Sequence, residues 1–132
     1  PMAFPRNDQL GKLVLRLTLG LLLLPHGLAK FIDGIGGIQG MLASAGLPEW
    51  LAYGVYVGEI LAPLMVIAGW YCTVGALLIV INMLMALFLA HSHELFVLGS
   101  HGGWAIELQV FFLMTAVVLM LTGPGRMGLN AQ

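Results

Sequence analysis

Four long apolar stretches take up most of this chain of 132 residues. They cover about residues 13–31, 50–69, 73–91 and 104–122, and each is close to the roughly 20 residues that a helix needs to cross a bilayer. No alternating pattern of barrel strands is visible, and helices satisfy their own backbone groups inside lipid. The sequence therefore predicts an all-α fold, an integral membrane four-helix bundle that forms one domain over residues 1–132.

The composition supports a membrane location. The chain is 60% hydrophobic and only 8% charged, against roughly 25% charged residues in ordinary soluble domains. Because a chain this short leaves much of its surface exposed, the excess of apolar side chains must face lipid. A net charge of −1 offers no basic face to nucleic acid, and the single Cys72 excludes an internal disulfide. Pro1 ahead of Met2 is typical of the remnant of an expression tag, and the first apolar stretch is too long for a removable signal peptide.

The cationic side chains predict an orientation. Arg6 and Lys12 precede the first stretch, Arg16 lies in its first turn, and Arg126 follows the fourth stretch. Cytoplasmic segments carry an excess of such residues, so both termini are predicted to be cytoplasmic and the two long loops to face outward.

The deepest polar residue of the chain is Glu59. It lies nine residues into the second stretch, near the middle of the membrane, where a charged group costs roughly 2.5–3.5 kcal/mol and usually carries function. His26 and Lys30 are one turn apart near the outer end of the first stretch. We expect these three side chains to face one another inside the bundle. A purely structural alternative is a protonated Glu59 carboxyl that is hydrogen-bonded to Asn82 or Gln109.

Most of the other polar residues also fall in the predicted outer half. His91, His93 and His101 lie in the loop after the third stretch, with Glu94 nearby and Glu107 just beyond it. Imidazole and carboxylate groups suit zinc, copper or haem iron, although this spacing matches no standard metal site. Arg16 and Lys30 either anchor the ends of one helix or bind a ligand.

The order of the segments resembles that of the DoxX family of small bacterial inner-membrane proteins. The resemblance is carried by "LRLTLGLLLLPHGLAKF", "GEILAPLMVIAGW", "INMLMALF" and "TGPGRMGLN". It matches the family pattern at Arg16, Gly27, Lys30, Glu59 and Gly123–Gly125. The resemblance implies four membrane helices in the bacterial inner membrane. Members of the family are linked to quinone reduction, sulfur metabolism and oxidative-stress defence, so a subunit of a membrane oxidoreductase is one expectation.

Three functions remain open from the sequence. In the first, an outward-facing polar pocket binds a quinone or another flat hydrophobic redox ligand. Its catalytic residues would be Glu59 and His26, and its ligand-binding residues Arg16, Lys30, Asn82, Trp104 and Glu107. No glycine fingerprint for flavin or dinucleotide is present, so a redox partner protein would supply electrons. In the second, His91, His93 and His101 hold a metal or haem. In the third, the chain acts either in small-solute transport or in membrane assembly. Transport would require that the chain forms a homodimer.

Overall fold

The computed structural model describes residues 5–130, so Pro1 lies outside the described part. Within that part the fold is all-α, as predicted, and the extended pairing consists of one isolated bridge between Leu98 and Trp104. The helices are α1 (Asp8–Asp33), α2 (Gly36–Ser44), α3 (Glu49–Ala68), α4 (Cys72–Ala90) and α5 (Glu107–Thr122). A 3₁₀ turn, Ser92–Glu94, follows α4.

Three of these helices are long and apolar enough to cross a membrane. They are α1 with 26 residues, α3 with 20 and α4 with 19. Helix α5 is apolar but has 16 residues, a rise of about 24 Å. The fourth predicted stretch started at residue 104, but the structure places residues 104–106 in the preceding loop because Trp104 pairs with Leu98. A fourth crossing by α5 therefore stays a prediction.

Helix α1 packs through one narrow face. Its buried residues are spaced three and four apart: Arg16, Leu19, Gly20, Leu23 and Gly27. The N-terminus is capped by the Asn7 side chain, which accepts a hydrogen bond from the Leu10 N–H at 3.0 Å. The helix ends at Gly34, whose φ of +89° only glycine adopts easily. The opposite face of α1 presents exposed leucines to the surroundings.

Small side chains let the helices approach closely at the core. Ala62 of α3, Ala76 of α4 and Ala116 of α5 are fully buried there. They pack with larger core residues, among them Leu19, Leu23, Val66, Ile79 and Leu119. Small residues at helix contacts are typical of membrane bundles, where dispersion contacts replace the hydrophobic effect between helices. A second cluster, Ile35, Leu42, Ala52 and Val55, packs α2 onto the start of α3.

The bundle has two polar ends, which are named here by their residues. The arginine end contains Arg16, the α3–α4 turn at Gly69 and the C-terminal segment 123–130. The histidine end contains Lys30, the segment 34–53 with α2, and the loop 91–106 with its three histidines. Both described chain ends lie at the arginine end, where the Arg126 backbone N–H donates to Gln9 Oε1 at 2.7 Å.

Candidate functional site

Glu59 lies in a widened turn of α3. Residues Val57–Leu61 form a π-helical turn, closed by the Ala62 N–H donating to the Val57 carbonyl. The physical reason is Pro63, which has no N–H to donate to the Glu59 carbonyl four residues earlier. Such π turns often occur at functional sites.

Helix α1 packs directly against this widened turn. The α-carbon of Gly27 faces the Glu59 backbone carbonyl so closely that a methyl group on Gly27 would overlap the carbonyl oxygen. Gly58 similarly leaves room for the Asn82 side chain of α4. The two glycines therefore bring three helices together at the level of Glu59.

The Glu59 carboxylate is 2% exposed and both of its oxygens accept hydrogen bonds. Lys30 Nζ of α1 donates to Oε1 at 2.6 Å, and Asn82 Nδ2 of α4 donates to Oε2 at 2.8 Å. Two donors on two oxygens match the acceptor pattern of an ionised carboxylate. Lys30 is itself 38% exposed, so the pair joins a buried carboxylate to a cation that reaches the surface. The expected structural partner Asn82 is thus present together with Lys30.

A cavity of about 510 Å³ lies beside the Glu59 carboxylate. This volume is within the roughly 300–1,000 Å³ typical of small-molecule sites. Most of its wall is apolar, with Leu23, Leu42, Leu78, Met83 and Phe112 among the lining residues. Its polar lining comes from His26, Lys30, Glu59, Asn82, His91 and Gln109. The arrangement suits a mainly apolar molecule that carries a few polar atoms.

His26 forms part of the same wall. Its imidazole meets the Phe112 ring edge-on, with ring centroids 5.6 Å apart and an interplanar angle of 80°. The side chains of His26, Lys30 and Glu59 therefore line one cavity, as we expected from their positions in the sequence. No protein atom of residues 5–130 forms a hydrogen bond with the His26 ring, which leaves its nitrogens free to contact a ligand.

The histidine loop contributes one side chain to the cavity. His91 Nδ1 lies 2.8 Å from Glu94 Oε1, and His91 Nε2 lies 3.4 Å from Gln109 Nε2. Gln109 Oε1 is buried and has no hydrogen-bond partner among the described residues. The sequence analysis treated Gln109 only as a partner for Glu59. The signal that could have revealed its place is its position in the first turn of an apolar helix, close to the histidine loop.

Other predicted site residues belong to the loop itself. Trp104 Nε1 donates to the Leu95 carbonyl at 2.8 Å, which fastens the two arms of the loop together. The Glu107 carboxylate folds over Gly103. Neither Trp104 nor Glu107 lines the cavity.

The three predicted metal ligands do not converge. Within residues 5–130, no group of three or more His, Cys, Asp or Glu side chains is arranged to hold a metal ion. His91 turns toward the cavity, whereas the His93 side chain is 77% exposed and lies 3.8 Å from Glu94 Oε1. His101 is exposed in the turn that contains Gly102, whose φ is +89°.

Arg16 lies away from the cavity, at the arginine end. Its side chain is buried and donates only to backbone carbonyls. The acceptors in α3 are Val66 at 3.0 Å and Ile67 at 3.1 Å, and those in the C-terminal segment are Pro124 at 3.1 Å and Met127. The guanidinium thus ties the C-terminal segment to α3. Arg16 is not among the residues that line the cavity beside Glu59, and every hydrogen bond of its head group goes to a backbone carbonyl. A ligand-binding role for Arg16 stays a prediction.

Comparison with known proteins identifies a matching family and a similar protein. A family model described as DoxX matches residues 11–92, a range that contains Arg16, His26, Lys30, Glu59 and Asn82. The chain is also similar to a Bacillus subtilis (strain 168) protein described as "Putative oxidoreductase CatD". The two are 26% identical over 125 residues, which cover 95% of this chain and 88% of that protein. No solved structure matches the chain.

Proposed function

The chain belongs to the DoxX family of membrane proteins, and on that premise we propose that it binds a quinone or a similar flat redox ligand. The ligand would occupy the cavity beside Glu59, and the chain would act as a subunit of a membrane oxidoreductase. The observation that carries this proposal is the buried Glu59 carboxylate, held by Lys30 and Asn82 at the edge of a mostly apolar cavity. The description of the similar Bacillus subtilis protein as an oxidoreductase supports the class of reaction.

The cavity provides the two kinds of contact that such a ligand needs. Apolar walls from Leu23, Leu78 and Phe112 suit a flat ring and an attached hydrocarbon tail. The ring oxygens of a quinone accept hydrogen bonds, and Lys30 retains N–H donors beyond the one that it gives to Glu59. The imidazole of His26 supplies a further polar contact on the same wall.

The proposed role of the Lys30–Glu59 pair is proton exchange. A quinone supplies the redox chemistry, because each of its two oxygens takes up one proton as the ring takes up two electrons. In the proposal, the Lys30 ammonium would donate a proton at one ligand oxygen and then take up a new proton from solvent, to which it is 38% exposed. The other ligand oxygen would take its proton from solvent, and the Glu59 carboxylate would stabilise the Lys30 cation. The electrons come from a redox centre in a partner protein, as expected from the lack of a dinucleotide fingerprint in the sequence.

We place the chain in the bacterial inner membrane with both termini in the cytoplasm. Lys12 and Arg126 lie at the arginine end, where the chain ends meet, and cationic residues favour the cytoplasmic side. A Ser100→Cys variant in a Cys72→Ala background tests this orientation, since Ser100 lies in the exposed loop of the histidine end. An impermeant thiol reagent should label intact cells after outer-membrane permeabilisation. Labelling that requires lysis would reverse the orientation.

The proposed function is tested with Glu59→Gln, which keeps the shape of the side chain and removes its acid–base chemistry. We expect this variant to fold and to bind duroquinone, but to lose about 100-fold or more of any quinone-linked turnover. Glu107→Gln is the matched control, because it makes the same chemical change outside the cavity and should behave like the parent. Mass spectrometry of organic extracts and metal analysis of the purified protein accompany the assay.

One pattern of results would favour the metal-binding alternative. It requires that Glu59→Gln behaves like the parent, and that His91→Ala and His93→Ala abolish activity with loss of a bound metal. A purified chain that contains neither quinone nor metal and that fails to bind duroquinone would favour transport or assembly.

A further inference from the structure

Gln109 carries an unpaired acceptor on the wall of the cavity. It lies in the first turn of α5, and its side-chain carbonyl oxygen is buried with no partner among the described residues. Buried side-chain acceptors in folded proteins are almost always hydrogen-bonded. An unpaired acceptor in a residue that lines a cavity therefore points to a hydrogen-bond donor that belongs to a bound ligand.

The neighbouring histidine determines which way the Gln109 amide faces. His91 Nδ1 lies 2.8 Å from the Glu94 carboxylate, so this nitrogen carries the proton and donates it to Glu94. In the neutral ring the other nitrogen, Nε2, is then an acceptor. It lies 3.4 Å from the Gln109 side chain, and the Gln109 NH₂ group must turn toward it. The amide oxygen consequently points away from His91.

No other polar group of the cavity donates a hydrogen bond to this oxygen in the described structure. Both Glu59 oxygens already accept hydrogen bonds from Lys30 and Asn82, and they are acceptors themselves. Within residues 5–130, no donor atom lies within hydrogen-bonding distance of Gln109 Oε1. A ligand oxygen without a hydrogen, such as a quinone carbonyl, would only place a second acceptor beside it. A ligand hydroxyl would complete the pair.

We infer that Gln109 Oε1 accepts a hydrogen bond from a hydroxyl group of the ligand, and that the cavity therefore prefers the hydroquinone form of a quinone-type ring. This inference rests on the proposed function, because it assumes that the cavity binds such a ring. It assigns Gln109 as a residue that determines specificity between the two redox forms. Binding the reduced form more tightly also makes the bound quinone easier to reduce, by linkage between binding and reduction.

The test measures equilibrium binding of two ring compounds that differ in their hydroxyl groups. The probes are duroquinol and duroquinone, titrated anaerobically into the full chain in detergent and followed by quenching of its tryptophan fluorescence. The parent should bind duroquinol more tightly than duroquinone. Gln109→Leu, which has a similar volume without an acceptor, should weaken duroquinol about tenfold, as expected for one hydrogen bond of about 1.4 kcal/mol. Its affinity for duroquinone should change by less than about twofold, because a quinone offers no donor.

Gln39→Leu is the matched control, because it makes the same substitution on α2 outside the cavity lining. It should leave both affinities unchanged. Equal weakening of both ligands by Gln109→Leu, or no weakening of either, would overturn the inference while leaving the proposed function intact. A parent that binds neither compound would overturn both.

A change on the ligand side tests the same contact without altering the protein. The dimethyl ether of duroquinol keeps the ring and both oxygens but has no hydroxyl hydrogen. The parent should bind it no more tightly than duroquinone. If the ether binds as tightly as duroquinol, the hydroxyl donor is irrelevant and the assignment of Gln109 is wrong, even if the Gln109→Leu variant fails to fold.

Discussion

Arg16 and Glu59 are both buried charged side chains, but the protein holds them in different ways. The Arg16 side chain donates only to backbone carbonyls of α3 and of the C-terminal segment, and it does not line the cavity beside Glu59. Glu59 is held by two side chains, Lys30 and Asn82, and it lies beside a cavity of about 510 Å³. A backbone acceptor is fixed by its helix or turn, whereas a side-chain partner can rotate and exchange protons.

This difference distinguishes two roles of a charged side chain that is buried in the membrane interior. A charge in the membrane interior is costly wherever it lies, so burial alone does not distinguish function from structure. At the arginine end, the cost is offset by neutral carbonyl groups at the end of a helix and in a turn. Of these acceptors, Val66 also receives the Gly69 N–H. At Glu59, the cost is offset by the side chains of Lys30 and Asn82, which can rotate and form hydrogen bonds with other groups. We therefore expect Arg16 to serve stability and, under the proposed function, Glu59 to serve chemistry.

The largest effect on stability is expected for Arg16→Met. This change removes the guanidinium and leaves several buried carbonyls without a donor, so the variant should lose about 3–5 kcal/mol of unfolding free energy. Arg126→Met is the matched control, because it removes an exposed cation at the same end and should change stability by less than about 0.5 kcal/mol. Unfolding by SDS titration in mixed micelles measures both variants. A normally stable Arg16→Met protein that no longer binds duroquinol would contradict the assignment.

An intermediate effect is expected for Lys30→Met. The change leaves the buried Glu59 carboxylate with Asn82 as its remaining partner, but Lys30 is 38% exposed and solvent weakens the pair. We expect a loss of about 1–3 kcal/mol of unfolding free energy. The double variant Lys30→Met/Glu59→Gln should be more stable than Lys30→Met, because it removes the unpaired charge. Purely additive effects in this double-mutant cycle would show that the two side chains are not energetically coupled.

The smallest loss is expected for Gly27→Ala, which tests the contact between α1 and the π turn. A methyl group would overlap the Glu59 carbonyl, so α1 and α3 must separate at a cost of about 1–3 kcal/mol. Alanine favours the helix over glycine by about 0.5–1 kcal/mol, and this gain makes the net loss the smallest of the three. Gly40→Ala is the control: it lies in α2 with open space around it, and alanine should stabilise the helix by about 0.5–1 kcal/mol. Thermal unfolding in detergent should shift the two variants in opposite directions. If the unfolding temperatures of both variants shift in the same direction, the close approach of α1 to the π turn at Gly27 does not contribute to stability.

The functional residues were only partly predictable from the sequence. A glutamate in the middle of an apolar stretch is a strong signal, and so are His26 and Lys30 on one face of the preceding helix. Their meeting at one cavity was therefore expected. Which of the three would bond directly was not, because the Lys30–Glu59 pair joins residues 29 positions apart whose distance depends on how α1 and α3 are rotated. Gln109 was recognised only as a structural partner, since its free oxygen becomes evident once His91 and Glu94 are in place.

The sequence by itself determined that this is an all-α membrane protein of the DoxX family. The length of the apolar stretches, the scarcity of charged residues and the order of the segments are features of the sequence. Each can be recognised without knowledge of any tertiary contact. Only the tertiary structure decided which faces pack inward, that Glu59 lies in a π turn, and that Arg16 ties down the C-terminal segment instead of lining the cavity. The physical reason is that lipid and the bundle interior are equally apolar. Helices such as α4 and α5 are apolar all round, so hydropathy cannot distinguish the face that meets its neighbours from the face that meets lipid.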